Sequence, residues 1–114
     1  MTDMRYYVMV FLHTGPTKPA DLEQEKSLQK AHMANMERLH AEGKLILAGP
    51  FKNGGDLEGL FLFDTESLED AKAWCDGDPA IAYGSLRADL VKWYSAKGIG
   101  IYPQEGPTKP EGAT

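Results

Sequence analysis

The sequence predicts an α+β domain, and three features carry that prediction. Residues 6–13 and 57–64 are dense in aromatic, β-branched and long apolar side chains with no helical period, the composition of strands. Two other segments space their apolar residues three and four apart, behind Asp21 and Ser67 and ahead of Gly43 and Gly77. Between the strands stands Asn53-Gly54-Gly55-Asp56, whose residues tolerate positive φ and suit the turn of an antiparallel hairpin.

In chain order, the first strand spans residues 6–13, with Tyr6, Val8, Val10 and Leu12 on one face and Tyr7, Met9 and Phe11 on the other. The glycine and two prolines at 15–19 force a loop. Asp21 with Gln24 forms a capping-box pattern for a helix over 22–42, which Gly43 ends. A second strand over 44–50 and a third over 57–64 flank the hairpin turn. Ser67 with Asp70 starts a helix whose apolar face is Leu68, Ala71, Trp74 and Cys75, and Gly77 stops it. Asp78-Pro79 places a cap and a first-turn proline before a short helical turn that Gly84 ends. The last strand spans 86–94. Strand, helix, strand, strand, helix, strand is the ferredoxin-like βαββαβ order, with a four-stranded antiparallel sheet.

The domain is expected over residues 1–95, followed by a Gly/Pro-rich, partly disordered tail at 96–114. Gly15-Pro16-Thr17-Lys18-Pro19 recurs as Gly106-Pro107-Thr108-Lys109-Pro110, but no repeated element surrounds either copy. The formal net charge of −5 argues against nucleic acid or an anionic membrane surface as partner. Cys75 is the single cysteine, so no intramolecular disulfide or cysteine zinc cluster can form. No apolar run approaches a membrane span and the amino terminus lacks a signal-like apolar region, so the expected location is the cytoplasm.

Two helices cover only one face of a four-stranded sheet, yet the first and third strands are apolar on both. Each large side chain left exposed forgoes on the order of 1.5–3 kcal/mol. A second copy packed face to face is the simplest cover, so a homodimer is expected.

These residues resemble the YciI-like proteins, the YCII-related domain of the dimeric α+β barrel superfamily. The matching pieces are Ala31-His32, then Leu39-His40-Ala41-Glu42-Gly43-Lys44-Leu45, then Ala48-Gly49-Pro50. Gly59, Ser67-Leu68-Glu69-Asp70-Ala71, Ala73-Trp74, Asp78-Pro79 and Gly84 complete them. The resemblance implies a ferredoxin-like dimer and an active site built from a His-Asp pair, which falls on His32 and Asp78. Relatives often carry arginine three residues before the histidine. Here that position is Gln29, which removes any anion-binding role such an arginine would serve.

On residue type alone Asp78 is the candidate partner for His32, and it is the resemblance that favours a functional pair over a structural one. His32 stands in the apolar helix stripe of Leu28, Asn35 or Met36, and Leu39. A carboxylate bonded to one imidazole nitrogen fixes the tautomer and leaves the other nitrogen free as a base. That arrangement suits proton abstraction beside a carbonyl, as in an isomerase, a lyase or an elimination, on a small and perhaps cyclic compound. The alternative is a non-catalytic ligand-binding dimer or accessory subunit in which His32 is a satisfied core histidine and Asp78 a helix cap.

Tyr83, directly after Asp78-Pro79, and His13, at the end of the first strand, are candidate ligand-binding residues. Trp74, Trp93 and Tyr94 suit either a pocket for a flat ligand or anchors of core and interface. His40 is expected on the outer face of its helix and Cys75 on a buried one. His32 and His40 are eight apart, without zinc-motif spacing, and no phosphate loop occurs, so neither a metal nor a cofactor is expected.

Overall fold

The computed structural model describes residues 3–98. Its elements are β1 (Met4–Thr14), α1 (Leu22–Ala41), β2 (Leu45–Pro50), β3 (Leu57–Phe63), α2 (Leu68–Asp76), α3 (Pro79–Tyr83) and β4 (Leu86–Ala96). The sheet has the order β2-β3-β1-β4 with every neighbouring pair antiparallel, which is the ferredoxin-like arrangement. The outer part of the expected tail, beyond residue 98, lies outside the described residues.

The first and last strands run further than the sequence pattern indicated. β1 and β4 pair continuously from Met4 opposite Ala96 to Thr14 opposite Leu86, so ladder hydrogen bonds carry both strands past the apolar stretch that marks them. The pairing of β2 with β3 slips between Leu45 and Leu47, a bulge with no Gly or Pro signal in the sequence.

Alternation along β1 and β3 sorts the side chains into two layers. Val8, Val10, Leu12, Phe61 and Phe63 are buried and, with Leu39, Leu45, Ala71 and Cys75, form the core under the helices. Leu86, Ala88 and Leu90 of β4 pack against it. Phe63 meets the edge of Trp74 with ring centroids 5.2 Å apart, which makes Trp74 a core anchor. On the opposite face Met9 lies across from Leu62 and Val91, Phe11 across from Leu60, and Tyr7 across from Trp93. No described helix covers that face: Val91 is 47% exposed and Trp93 38%.

Helix ends follow the local signals. Asp21 accepts from the Gln24 backbone N–H at 2.8 Å, while the Gln24 side-chain Oε1 receives the N–H of Ala20 rather than that of the cap residue itself. Gly43 (φ +78°) follows α1 and Gly84 (φ +100°) follows α3, both in the left-handed region. Gly77 ends α2 with ordinary right-handed dihedrals, so no backbone constraint demands glycine there.

Two loops are clasped together at the β1 end of the sheet. Gly15 N donates to Ser85 O at 2.9 Å and Thr17 N to Gly84 O at 3.0 Å. A Cβ on Gly84 would stand 2.7 Å from Thr17 Oγ1, in addition to the strain of positive φ. At Gly77 the nearest atom to an added Cβ is 3.7 Å away. Urea unfolding should therefore find Gly84→Ala destabilised by about 1–3 kcal/mol and Gly77→Ala within about 0.5 kcal/mol of the parent.

Candidate functional site

Asp78 is fully buried, and four donors converge on its two oxygens. Oδ1 accepts the backbone N–H of Ala80 at 2.9 Å and of Ile81 at 3.4 Å, capping α3. Oδ2 lies 2.7 Å from His32 Nδ1 and accepts from Asn35 Nδ2 at 3.3 Å. The carboxylate thus serves as acceptor on every side, and the hydrogen between it and the imidazole belongs on Nδ1. His32 Nε2 has no hydrogen-bond partner among the described residues.

Asn35 was legible only as a stripe residue, and its role comes from the structure. Its Oδ1 receives Arg38 Nη2 at 2.7 Å, which fixes the amide so that Nδ2 faces Asp78. Arg38 is held in turn by Glu42 at 3.1 Å. His32, Asn35 and Leu39 are the buried residues of α1, so helical spacing places imidazole and amide side by side above one carboxylate.

His32 borders a cavity of about 760 Å³, within the size range of small-molecule sites. Leu12, Leu28, Met36, Phe61 and Leu86 supply apolar wall, and Gln29 stands beside His32 on the same helix. The His32 ring lies near-parallel to Phe61, centroids 6.0 Å apart and planes at 27°.

The other sequence candidates fall elsewhere. Tyr83 is not in the cavity wall; its hydroxyl reaches Gln24 Oε1 at 3.0 Å and Lys18 O at 3.3 Å, tying α3 to the loop before α1. His13 also lies outside the wall, on the uncovered sheet face, with Nε2 3.1 Å from Asp89 Oδ2 and Nδ1 3.8 Å from Asp56 Oδ2. Alternation explains both: β1 turns His13 away from the helices, and a five-residue helix cannot present Tyr83 and its own N-cap on one side. Trp93 belongs to the uncovered face, and Tyr94 packs on Tyr6 at 4.9 Å. His40 is exposed, as expected, and also bonds Leu45 O through Nδ1 at 3.0 Å.

The YCII-related domain matches residues 9–94. This chain belongs to the YCII-related domain family. Protein YciI of Escherichia coli O6:H1 (strain CFT073) is 34% identical over 92 residues, covering 74% of this chain and 94% of that protein. The uncharacterised protein YjpA of Bacillus subtilis (strain 168) is 32% identical over 62 residues, 54% of this chain and 71% of its own length. Among solved structures, 5-chloro-2-hydroxyhydroquinone dehydrochlorinase (TftG) of Burkholderia phenoliruptrix AC1100, in complex with 2,5-dihydroxybenzoquinone, superposes with a TM-score of 0.55 at 21% identity. That match covers 75% of this chain and 92% of the other, and it establishes a shared fold. In this YCII-related chain, both His32 and Asp78 fall within the matched region.

Cys75 sits close in sequence but plays no part in the site. Burial pushes its thiol up to about 12, and the carboxylates of Asp76 and Asp78 add to the effect. A raised thiol pKa means less thiolate at neutral pH, so at pH 8 a disulfide reagent should react roughly a thousandfold more slowly with the native protein than with the protein unfolded in urea.

Removing Asp78 tests its double bonding. Asp78→Ala loses the cap, about 0.5–2 kcal/mol, and strands buried donors at about 1–3 kcal/mol more. Asp78→Asn keeps an oxygen for the cap but turns an amide against two donors, so it should lie between parent and Asp78→Ala in urea midpoint. Equal stability of all three would contradict the bonding described.

Proposed function

We propose that this protein is a small enzyme in which His32 Nε2 moves a proton on a cyclic carbonyl or phenolic compound, with Asp78 as its orienting partner. The observation that carries this reading is the imidazole itself. One nitrogen is committed to a buried carboxylate, the other has no partner among the described residues, and the ring borders a cavity of ligand size.

In the reaction this supports, Nε2 takes a proton from carbon beside a carbonyl and the electron pair moves to the carbonyl oxygen as an enolate. The imidazolium then returns the proton to another position, giving an isomerisation, or a leaving group departs and gives an elimination. Asp78 holds the ring and stabilises its charged form without taking the proton. The flat ring bound in the dehydrochlorinase neighbour supports this reading in shape alone, since Phe61 and His32 offer flat faces to a planar ring.

The working unit we propose is a cytoplasmic homodimer. Its support is the uncovered sheet face, where Val91 and Trp93 stand beside half-buried Met9, Phe11, Leu47 and Leu60. No described helix is long and apolar enough to cross a membrane. A charge in that face should split the dimer: Val91→Glu is expected to sediment as a folded monomer where the parent sediments as a dimer.

The alternative, a binding protein with a structural His-Asp pair, is favoured by one observation, that Asp78 is already used as a cap. Deuterium exchange separates the readings. In D2O, proton NMR should detect protein-dependent loss of the α-hydrogens of small cyclic ketones. His32→Ala should abolish that exchange in a protein that still folds, with unfolding stability lowered by about 1–3 kcal/mol for the lost bond to Asp78. Exchange persisting at the parent rate in His32→Ala would remove the base from the proposal.

A further inference from the structure

The charges around the cavity specify what kind of compound the site accepts. Two carboxylates border it, Glu25 on α1 and Glu58 on β3, and no lysine or arginine does among the described residues. Glu25, Gln29 and His32 are four and three apart, so they form one line along α1. Glu58 is held in place by the Thr14 hydroxyl, which donates to Oε2 at 2.6 Å.

The backbone offers an anion no better reception. Ala80 is in the cavity wall at the start of α3, but its N–H and that of Ile81 already bond to Asp78. At the start of α1, Asp21 takes the N–H of Gln24, and Glu23 and Glu25 occupy the first turn. The arginine of α1 nearest the dyad, Arg38, is engaged by Asn35 and Glu42. Behind His32 stands a third carboxylate, the buried Asp78, and the whole chain carries a net charge of −5.

We infer that the cavity selects against anions, and that its ligand is an uncharged or cationic small ring compound. The inference rests on the reading of the His32 cavity as a ligand site and adds the charge class of the ligand. A carboxylate or ionised hydroxyquinone would enter past two like charges with no lysine, arginine or unbonded backbone N–H in the described wall to meet it. A neutral ring meets apolar walls and the imidazole, and an amine gains the two glutamates.

Three probes of one shape and different charge test this: benzyl alcohol, benzoate and benzylamine. Each is titrated into the full-length protein, and binding is read from the His32 ring resonances at constant ionic strength. Benzyl alcohol and benzylamine should saturate the shift, with benzoate weaker by about tenfold or more. In Glu25→Gln/Glu58→Gln, benzoate should gain most of that factor and benzylamine should lose affinity, while benzyl alcohol stays unchanged. Benzoate binding as tightly as benzyl alcohol in the parent overturns the charge selection and leaves the site reading intact. A His32 shift unmoved by all three probes overturns both.

Discussion

The structure around the site depends on how one buried carboxylate shares out its two oxygens. Asp78 begins a helix of five residues, far too short to persist by itself, and the oxygen that does not cap it reaches across to α1. The bond that places the imidazole is therefore also the bond that docks α3 onto α1. Burial with four donors makes this carboxylate expensive to disturb, because each donor stranded in the interior has no water to replace it. The same arrangement leaves the imidazole with one nitrogen directed by its partner and one available.

The fold was legible because its signals are local or periodic. Caps at Asp21, Ser67 and Asp78, left-handed glycines at 43 and 84, and two strands too apolar for one-sided burial lead to four strands and the helices between them. The bulge near Ile46 was not legible, since it arises from fitting β2 to β3 rather than from any residue in it. Strand ends were short in the sequence reading because pairing continues past the apolar residues into Met4 and Ala96.

At the site, His32 stood out as an imidazole in an apolar stripe, and the family resemblance supplied Asp78 as its partner. Asn35 and Arg38 did not stand out, because their significance is a matter of direction: one amide's orientation is set by a guanidinium on the next turn. Proximity in sequence misled for Tyr83, five residues from Asp78 and turned toward a different loop. His13 shows the complementary error, in which a strand's alternation puts an attractive residue on the wrong side of the sheet. Glu25 and Glu58 look like ordinary surface acids until the fold brings a helix and a strand to one cavity.

The clasp between the loop after β1 and the turn after α3 has a bearing on how a compound would reach the imidazole. Backbone bonds at Gly15 and Thr17, and the Tyr83 hydroxyl on Lys18 and Gln24, fasten the segment between β1 and α1 at both ends. Pro19, Ser85 and Leu86 from these same segments form part of the cavity wall. A wall fastened in this way does not behave as a door. In the proposed site, movement of this segment is then not part of entry. Such a site trades the water exclusion of a closing lid for immediate access, which suits proton transfers that tolerate solvent nearby.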